Sequence, residues 1–179
     1  EAMAVREPIT VVVSDKGWIR ALRGHVGDLS GVTFKSDDAL KFAFPTETTA
    51  KILIFASNGK FYTIEAAKLP GGRGHGEPVR LYFDLEQEAD VVAALAYQGG
   101  RKFLLASSMG NGFVVAEDEV LGTTRKGKQV LNLKAPEGLA IFKRMVKDAD
   151  VVAENYRAGV KKRLSIDYES LHAINPRLV

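Results

Sequence analysis

The chain contains no cysteine, which excludes a disulfide framework, a thiolate metal site and a cysteine nucleophile. No apolar run approaches the ~20 residues needed to cross a bilayer. The opening stretch Glu1-Ala2-Met3-Ala4-Val5-Arg6-Glu7-Pro8 lacks the basic, apolar and small-residue regions of a signal peptide. A cytoplasmic location with no membrane partner is therefore expected. Histidine is scarce, and His25 and His75 lack companions at ligand spacing, so they read as turn or surface residues and no metal is expected. Excess charge is small, at +3, and it is unevenly placed. Residues 134–179 hold nine Lys/Arg against six Asp/Glu, while residues 1–133 balance to zero. Only local clusters of cations could favour a polyanion in that first part.

What the chain does have is a recurrence. Gly17, Gly59 and Gly110, at intervals of 42 and 51 residues, each separate two short apolar runs. Val11-Val12-Val13 leads to Gly17 and Trp18-Ile19. Leu53-Ile54-Phe55 leads to Gly59 and Phe61-Tyr62, and Phe103-Leu104-Leu105 leads to Gly110 and Phe113-Val114. β-Branched and aromatic residues favour extended backbone, and a glycine supplies the positive φ of a hairpin turn. Each hairpin is followed by a glycine-basic element: Arg23-Gly24-His25, then Gly71-Gly72-Arg73-Gly74-His75-Gly76, then Arg125-Lys126-Gly127-Lys128. Further extended runs follow at Leu29–Phe34, Val79–Leu85 and Gln129–Leu133, with Ala39–Phe44 and Val91–Leu95 completing the first two units. A period of roughly 40–50 residues with about four strands per unit is the pattern of propeller blades. The fold class expected for residues 1–133 is therefore mainly β, a partial propeller of about three four-stranded blades.

Long ordered strings carry a family resemblance. They include Ile9 to Ala21 with Gly24-His25, Lys60-Phe61-Tyr62-Thr63, Leu69 to Arg80, Gly112 to Val115 and Thr124 to Leu133. Over residues 6–133 the chain resembles the C-terminal domain of the A subunit of DNA topoisomerase IV, a β-pinwheel. The resemblance implies a bacterial, nucleoid-associated setting and a basic rim that holds double-stranded DNA beside a strand-passage core. The partners it implies in the full-length enzyme are the A-subunit core and the B subunit. Rim cations can neutralise phosphates without reading bases, which suits action at many sequences. Arg23, Arg73, Arg125, Lys126 and Lys128 are the expected phosphate contacts, whereas Trp18, Phe61 and Tyr62 read as packing. Where gyrase A subunits carry a glutamine-arginine-arginine-glycine-glycine-arginine-glycine box, this chain has Lys68-Leu69-Pro70 before Gly71-Gly72-Arg73-Gly74, which favours the topoisomerase IV type. The strand-cleaving tyrosine of that family belongs to a core outside this region, so no catalytic residue and no cofactor is expected here.

From about residue 134 the pattern changes to a short α/β tail. Leu139, Phe142, Met145 and Val146 share one helical face, Asp150 to Glu154 reads as a buried strand, and Val160–Leu164 and Tyr168–Ile174 as short helices ended by Asn175-Pro176. Residues 131–138, 149–159 and 168–179 resemble family III CoA-transferases, which would place Asn155, Tyr156 and Arg157 along a CoA site. The nucleophilic aspartate of that family has no counterpart in this segment. Two readings therefore stand beside DNA binding: a transferase fragment with residual CoA affinity, and a non-catalytic scaffold that oligomerises to cover open strand edges.

Overall fold

The computed structural model describes residues 5–72, 74–107, 112–131, 139–154 and 159–179. The strands in chain order are β1 (Pro8–Ser14), β2 (Trp18–Arg23), β3 (Leu40–Glu47), β4 (Lys51–Ala56), β5 (Lys60–Glu65), β6 (Glu77–Pro78), β7 (Val91–Ala96), β8 (Lys102–Ala106), β9 (Gly112–Ala116), β10 (Lys128–Gln129) and β11 (Val151–Glu154). Among the described residues, three short helices lie in the last part: α1 (Leu139–Val146), α2 (Val160–Leu164) and α3 (Tyr168–His172). The strands form three sheets, ordered β3-β1-β2-β6, β10-β5-β4-β7 and β11-β8-β9. The mainly β, blade-like architecture expected from the repeats is the one observed.

The three apolar runs become the inner strands β1, β4 and β8, each buried from its second residue onward. Both faces of these strands are covered, which is why they read as continuous Val, Ile, Leu and Phe rather than as an alternation. Each pairs antiparallel with its hairpin mate, and the turns use positive φ at Gly17 (75°) and Gly59 (78°). Gly110 lies outside the described residues. On the other side β1 takes β3 and β4 takes β7, both antiparallel and both with a register shift at the last pair, Val13/Ser14 and Phe55/Ala56.

Two of the expected extended runs are not strands. Val79–Leu81 is a 3-10 turn, and the segment that follows curls around Arg80, whose guanidinium donates to the carbonyls of Leu85, Glu86, Gln87 and Ala89. Leu29–Phe34 is loop, with the Thr33 carbonyl held by Arg20. The fourth strand of the first sheet is instead Glu77–Pro78, which belongs in sequence to the second repeat; the fourth strand of the second sheet, Lys128–Gln129, belongs to the third. Residues 132 and 133 of the third expected run lie outside the described residues.

The chain divides into two compact units, Glu1–Tyr97 with Gly122–Lys128, and Gln98–Leu121 with Gln129–Val179. The first holds an apolar cluster that includes Val11, Ile19, Ile54, Tyr62, Val79 and Phe83. Burying each of these large side chains contributes about 1.5–3 kcal/mol. In the second unit β11 lies parallel to β8, from Val151 opposite Phe103 to Glu154 opposite Ala106. Leu104 and Ala106 of the hairpin share a core with Phe142 and Val146 of α1, and with Ile166, Leu171 and Leu178. The buried Asn175 ties this unit together. Its side-chain amide donates to the carbonyls of Val146 at 2.9 Å and Ala149 at 2.7 Å, at and just beyond the end of α1.

Candidate nucleic-acid interface

The glycine-basic loops are held against the hairpin of the preceding repeat, and glycine makes this approach possible. Along β2, the Ala21 amide donates to the Pro70 carbonyl at 2.9 Å and Gly71 bridges Ala21. Gly76 has φ 85°, and a Cβ there would run into the Ile19 carbonyl. Along β5, the Gly122 amide donates to Thr63 Oγ1 at 3.0 Å. A Cβ on Gly127 would lie 2.6 Å from Tyr62 Cε1 and 2.9 Å from the Phe61 carbonyl oxygen. In the second loop both glycine ends are pressed inward, and residues 123–126 between them are exposed.

Four of the five expected phosphate contacts are described, and all four are exposed. Arg23 ends β2, two residues beyond the bridge to Gly71. Arg125, Lys126 and Lys128 share the second loop and its short strand. Arg73 lies outside the described residues. Arg125 is partly neutralised: its Nε sits 3.4 Å from Asp84 Oδ1, with both side chains more than half exposed, and the Asp84 amide donates to the Arg125 carbonyl at 2.8 Å. Such an exposed pair is worth only about 0–1 kcal/mol, so a phosphate could displace the carboxylate. Among the described residues, Arg23, Lys126 and Lys128 form no ion pair. Other cations of the same unit are paired, Lys60 with Glu86 at 3.1 Å and Lys68 with Glu65 at 3.0 Å.

Arg20 is not among the cations expected from the glycine-basic elements. It is 7% exposed, and its guanidinium donates to the carbonyl of Gly74 in the first loop and, at 3.1 Å, to that of Thr33. It is thus a support beneath the loop rather than a surface cation. The only available signal was an arginine within an apolar strand, at the position where Tyr62 stands in the next repeat. Lys35 was also missed; its ammonium lies 3.7 Å from the centre of the half-buried Trp18 ring. Phe61 and Tyr62 are buried, as the packing role requires. His25 and His75 are exposed, and no group of metal-binding side chains occurs among the described residues.

Asn155, Tyr156 and Arg157 lie outside the described residues. Next to them, Glu154 is ion-paired to Lys161 at 2.6 Å beside a hollow of about 140 Å³ lined by Val152, Ile166, Tyr168, Leu171 and Leu178. Pockets for drug-sized ligands run from about 300 to 1,000 Å³. That hollow by itself is smaller than a molecule as large as CoA requires.

Comparison with known proteins accords with both parts of this picture. The chain is 47% identical over 148 residues to the A subunit of DNA topoisomerase 4 from Caulobacter vibrioides, a match covering 83% of this chain and 19% of that protein. It is 41% identical over 152 residues to the same subunit from Rickettsia bellii, covering 85% of this chain and 20% of the relative. The chain thus spans about a fifth of the length of these curated relatives. The solved C-terminal domain of Escherichia coli ParC superposes with a TM-score of 0.66 at 34% identity, over 71% of this chain and 52% of that one. A second C-terminal domain of DNA topoisomerase IV, at 16% identity and TM-score 0.61 over 74% of this chain and 44% of its own, shares the fold. The model for CoA-transferase family III matches residues 115–179. The chain is therefore a homologue of the DNA topoisomerase 4 A subunit over its C-terminal domain, with residues 115–179 similar to CoA-transferase family III.

Proposed function

We propose that residues 1–133 bind duplex DNA without sequence preference, through phosphate contacts from Arg23, Arg73, Arg125, Lys126 and Lys128. The observation that carries this reading is the second loop: Gly122 and Gly127 press it onto β5 while Arg125, Lys126 and Lys128 stand exposed between and beyond them. Cations fixed by backbone docking hold a phosphate with little loss of loop freedom, and they read no bases. In the full-length enzyme this region would present DNA to the strand-passage core and work with the A-subunit core and the B subunit. That role belongs to the bacterial cytoplasm, at the nucleoid; no described helix is long and apolar enough to cross a membrane. Fluorescence anisotropy with a labelled duplex tests the reading. The intact chain should bind with similar affinity to unrelated sequences, and Lys126→Glu should weaken binding to all of them. Strong preference for one sequence, or no effect of Lys126→Glu, would count against it.

For residues 134–179 we propose a structural role in place of catalysis. Support comes from β11 beside β8 and from the core that α1 shares with the third hairpin. A CoA site at Asn155, Tyr156 and Arg157 rests on the family match alone, and the adjoining hollow argues against it. A shift of the tail amide resonances by CoA would revive that reading.

A further inference from the structure

Residues 84–90, Asp84-Leu85-Glu86-Gln87-Glu88-Ala89-Asp90, carry four carboxylates and no cation. All four acidic residues are exposed. The loop they form is tied down through its backbone along its whole length. At one end the Asp84 amide donates to the Arg125 carbonyl at 2.8 Å. In the middle the Arg80 guanidinium gathers the carbonyls of Leu85, Glu86, Gln87 and Ala89. At the other end the Ser57 amide donates to the Asp90 carbonyl at 2.9 Å, and the Asp90 amide donates to Ser57 Oγ at 3.0 Å.

Two of these carboxylates face cations beside the second glycine-basic loop. Asp84 meets Arg125 of that loop, and Glu86 meets Lys60 at 3.1 Å. Lys60 opens β5, the strand onto which Gly122 and Gly127 press the loop. Asp84 and Glu86 are two positions apart, a span of at most about 7 Å, so the two pairs lie side by side. The fold does not depend on these charges: main-chain bonds and Arg80 hold the loop, and exposed pairs add little stability. Glu88 and Asp90 make no ion pair among the described residues.

We propose that the acidic loop is a built-in competitor of DNA phosphate, in which Asp84 and Glu86 occupy Arg125 and Lys60 until a duplex displaces them. Resting on the DNA-binding reading above, this assignment adds Lys60 to the phosphate contacts and makes the loop a determinant of affinity. A free lysine or arginine that meets a phosphate releases a counterion from the DNA. A paired one also sets a carboxylate free beside the duplex, and that carboxylate gathers a cation in its turn. Net ion release at Arg125 and Lys60 is therefore small. The loop holds affinity down and flattens its salt dependence, while Lys126 and Lys128 bind unopposed.

The test compares duplex binding, by fluorescence anisotropy across a salt series, for the intact chain and two double variants. Asp84→Asn with Glu86→Gln removes the paired charges and keeps the backbone bonds. Glu88→Gln with Asp90→Asn removes the same charge from unpaired positions of the same loop. The first variant should bind about 3–20-fold more tightly at low salt. Its slope of log K against log salt should steepen by about 1–2, and that of the second variant should not change. Lys60→Ala should weaken the intact chain little, and at least about 3-fold more in the Glu86→Gln background. An unchanged slope in the first variant, or equal gains from both, would overturn the proposal and leave the DNA-binding reading standing. Absence of binding by every form would overturn that reading, and the competitor with it.

Discussion

Gly127 lies against the ring of Tyr62, so closely that a methyl group on it would sit 2.6 Å from Tyr62 Cε1. Gly127 also has φ 69°, a backbone region that side chains disfavour. Gly127→Ala should therefore cost about 2–4 kcal/mol, combining strain with overpacking. Gly72→Ala shares a positive φ of 83° but faces open space, so it should cost about 1 kcal/mol. Urea denaturation of the two variants checks the order.

The second unit rests on a buried charge. Glu117 has no exposed surface and accepts hydrogen bonds from Arg101 Nε at 3.1 Å, from Arg101 Nη2 and from the Gln98 amide at 3.1 Å. Arg101→Ala would strand that carboxylate, at a cost of about 3–5 kcal/mol. Arg101→Ala combined with Glu117→Gln should recover part of the loss. A double-mutant cycle in urea measures the coupling, and additive effects would remove the pair from the account.

Asn175→Ala should unfold the tail first. It leaves the Ala149 carbonyl without its donor, at about 1–3 kcal/mol, and the Val146 carbonyl with only the 3.3 Å bond from the Ala149 amide. Because Leu104 and Ala106 share that core, the third hairpin should lose protection together with α1 and β11. Hydrogen exchange at residues 103–106 reads this directly, and unchanged protection there would contradict it.

Tyr82 supplies a pH-dependent test. Partial burial, then its hydrogen bond to Glu77 and that residue's charge, push its hydroxyl up to about 12 from 10.0. A folded-state value above the unfolded one means stability that is complete below pH 10 and is lost as pH rises through about 12. Tyrosinate absorbance should show a late-ionising contribution that Tyr82→Phe removes.

Much of this architecture was written in local pattern. The hairpins at Gly17 and Gly59 and the tail elements α1, β11 and α2 follow from runs of like residues and from turn glycines, which act within a few positions. The closing strands were not legible, because Glu77–Pro78 and Lys128–Gln129 are too short to carry a period. Their pairing depends on how nearly Gly76 and Gly127 approach another repeat. Val79–Leu85 has the composition of a strand, but four carbonyls gathered on Arg80 turn its continuation into a loop. The exposed cations were legible from their glycine-basic setting. The supporting Arg20 was not, since nothing in a strand sequence says which distant carbonyl an arginine will meet.

The most direct measurement is the salt dependence of duplex binding by the intact chain and by the triple variant Arg23→Ala, Lys126→Ala, Lys128→Ala. Each phosphate contact should contribute about 0.9 to the slope of log K against log salt. The account predicts a steep slope that flattens by about 2–3 in the triple variant, with unfolding in urea unchanged. An identical slope in both proteins, or no salt-dependent binding by either, would contradict it.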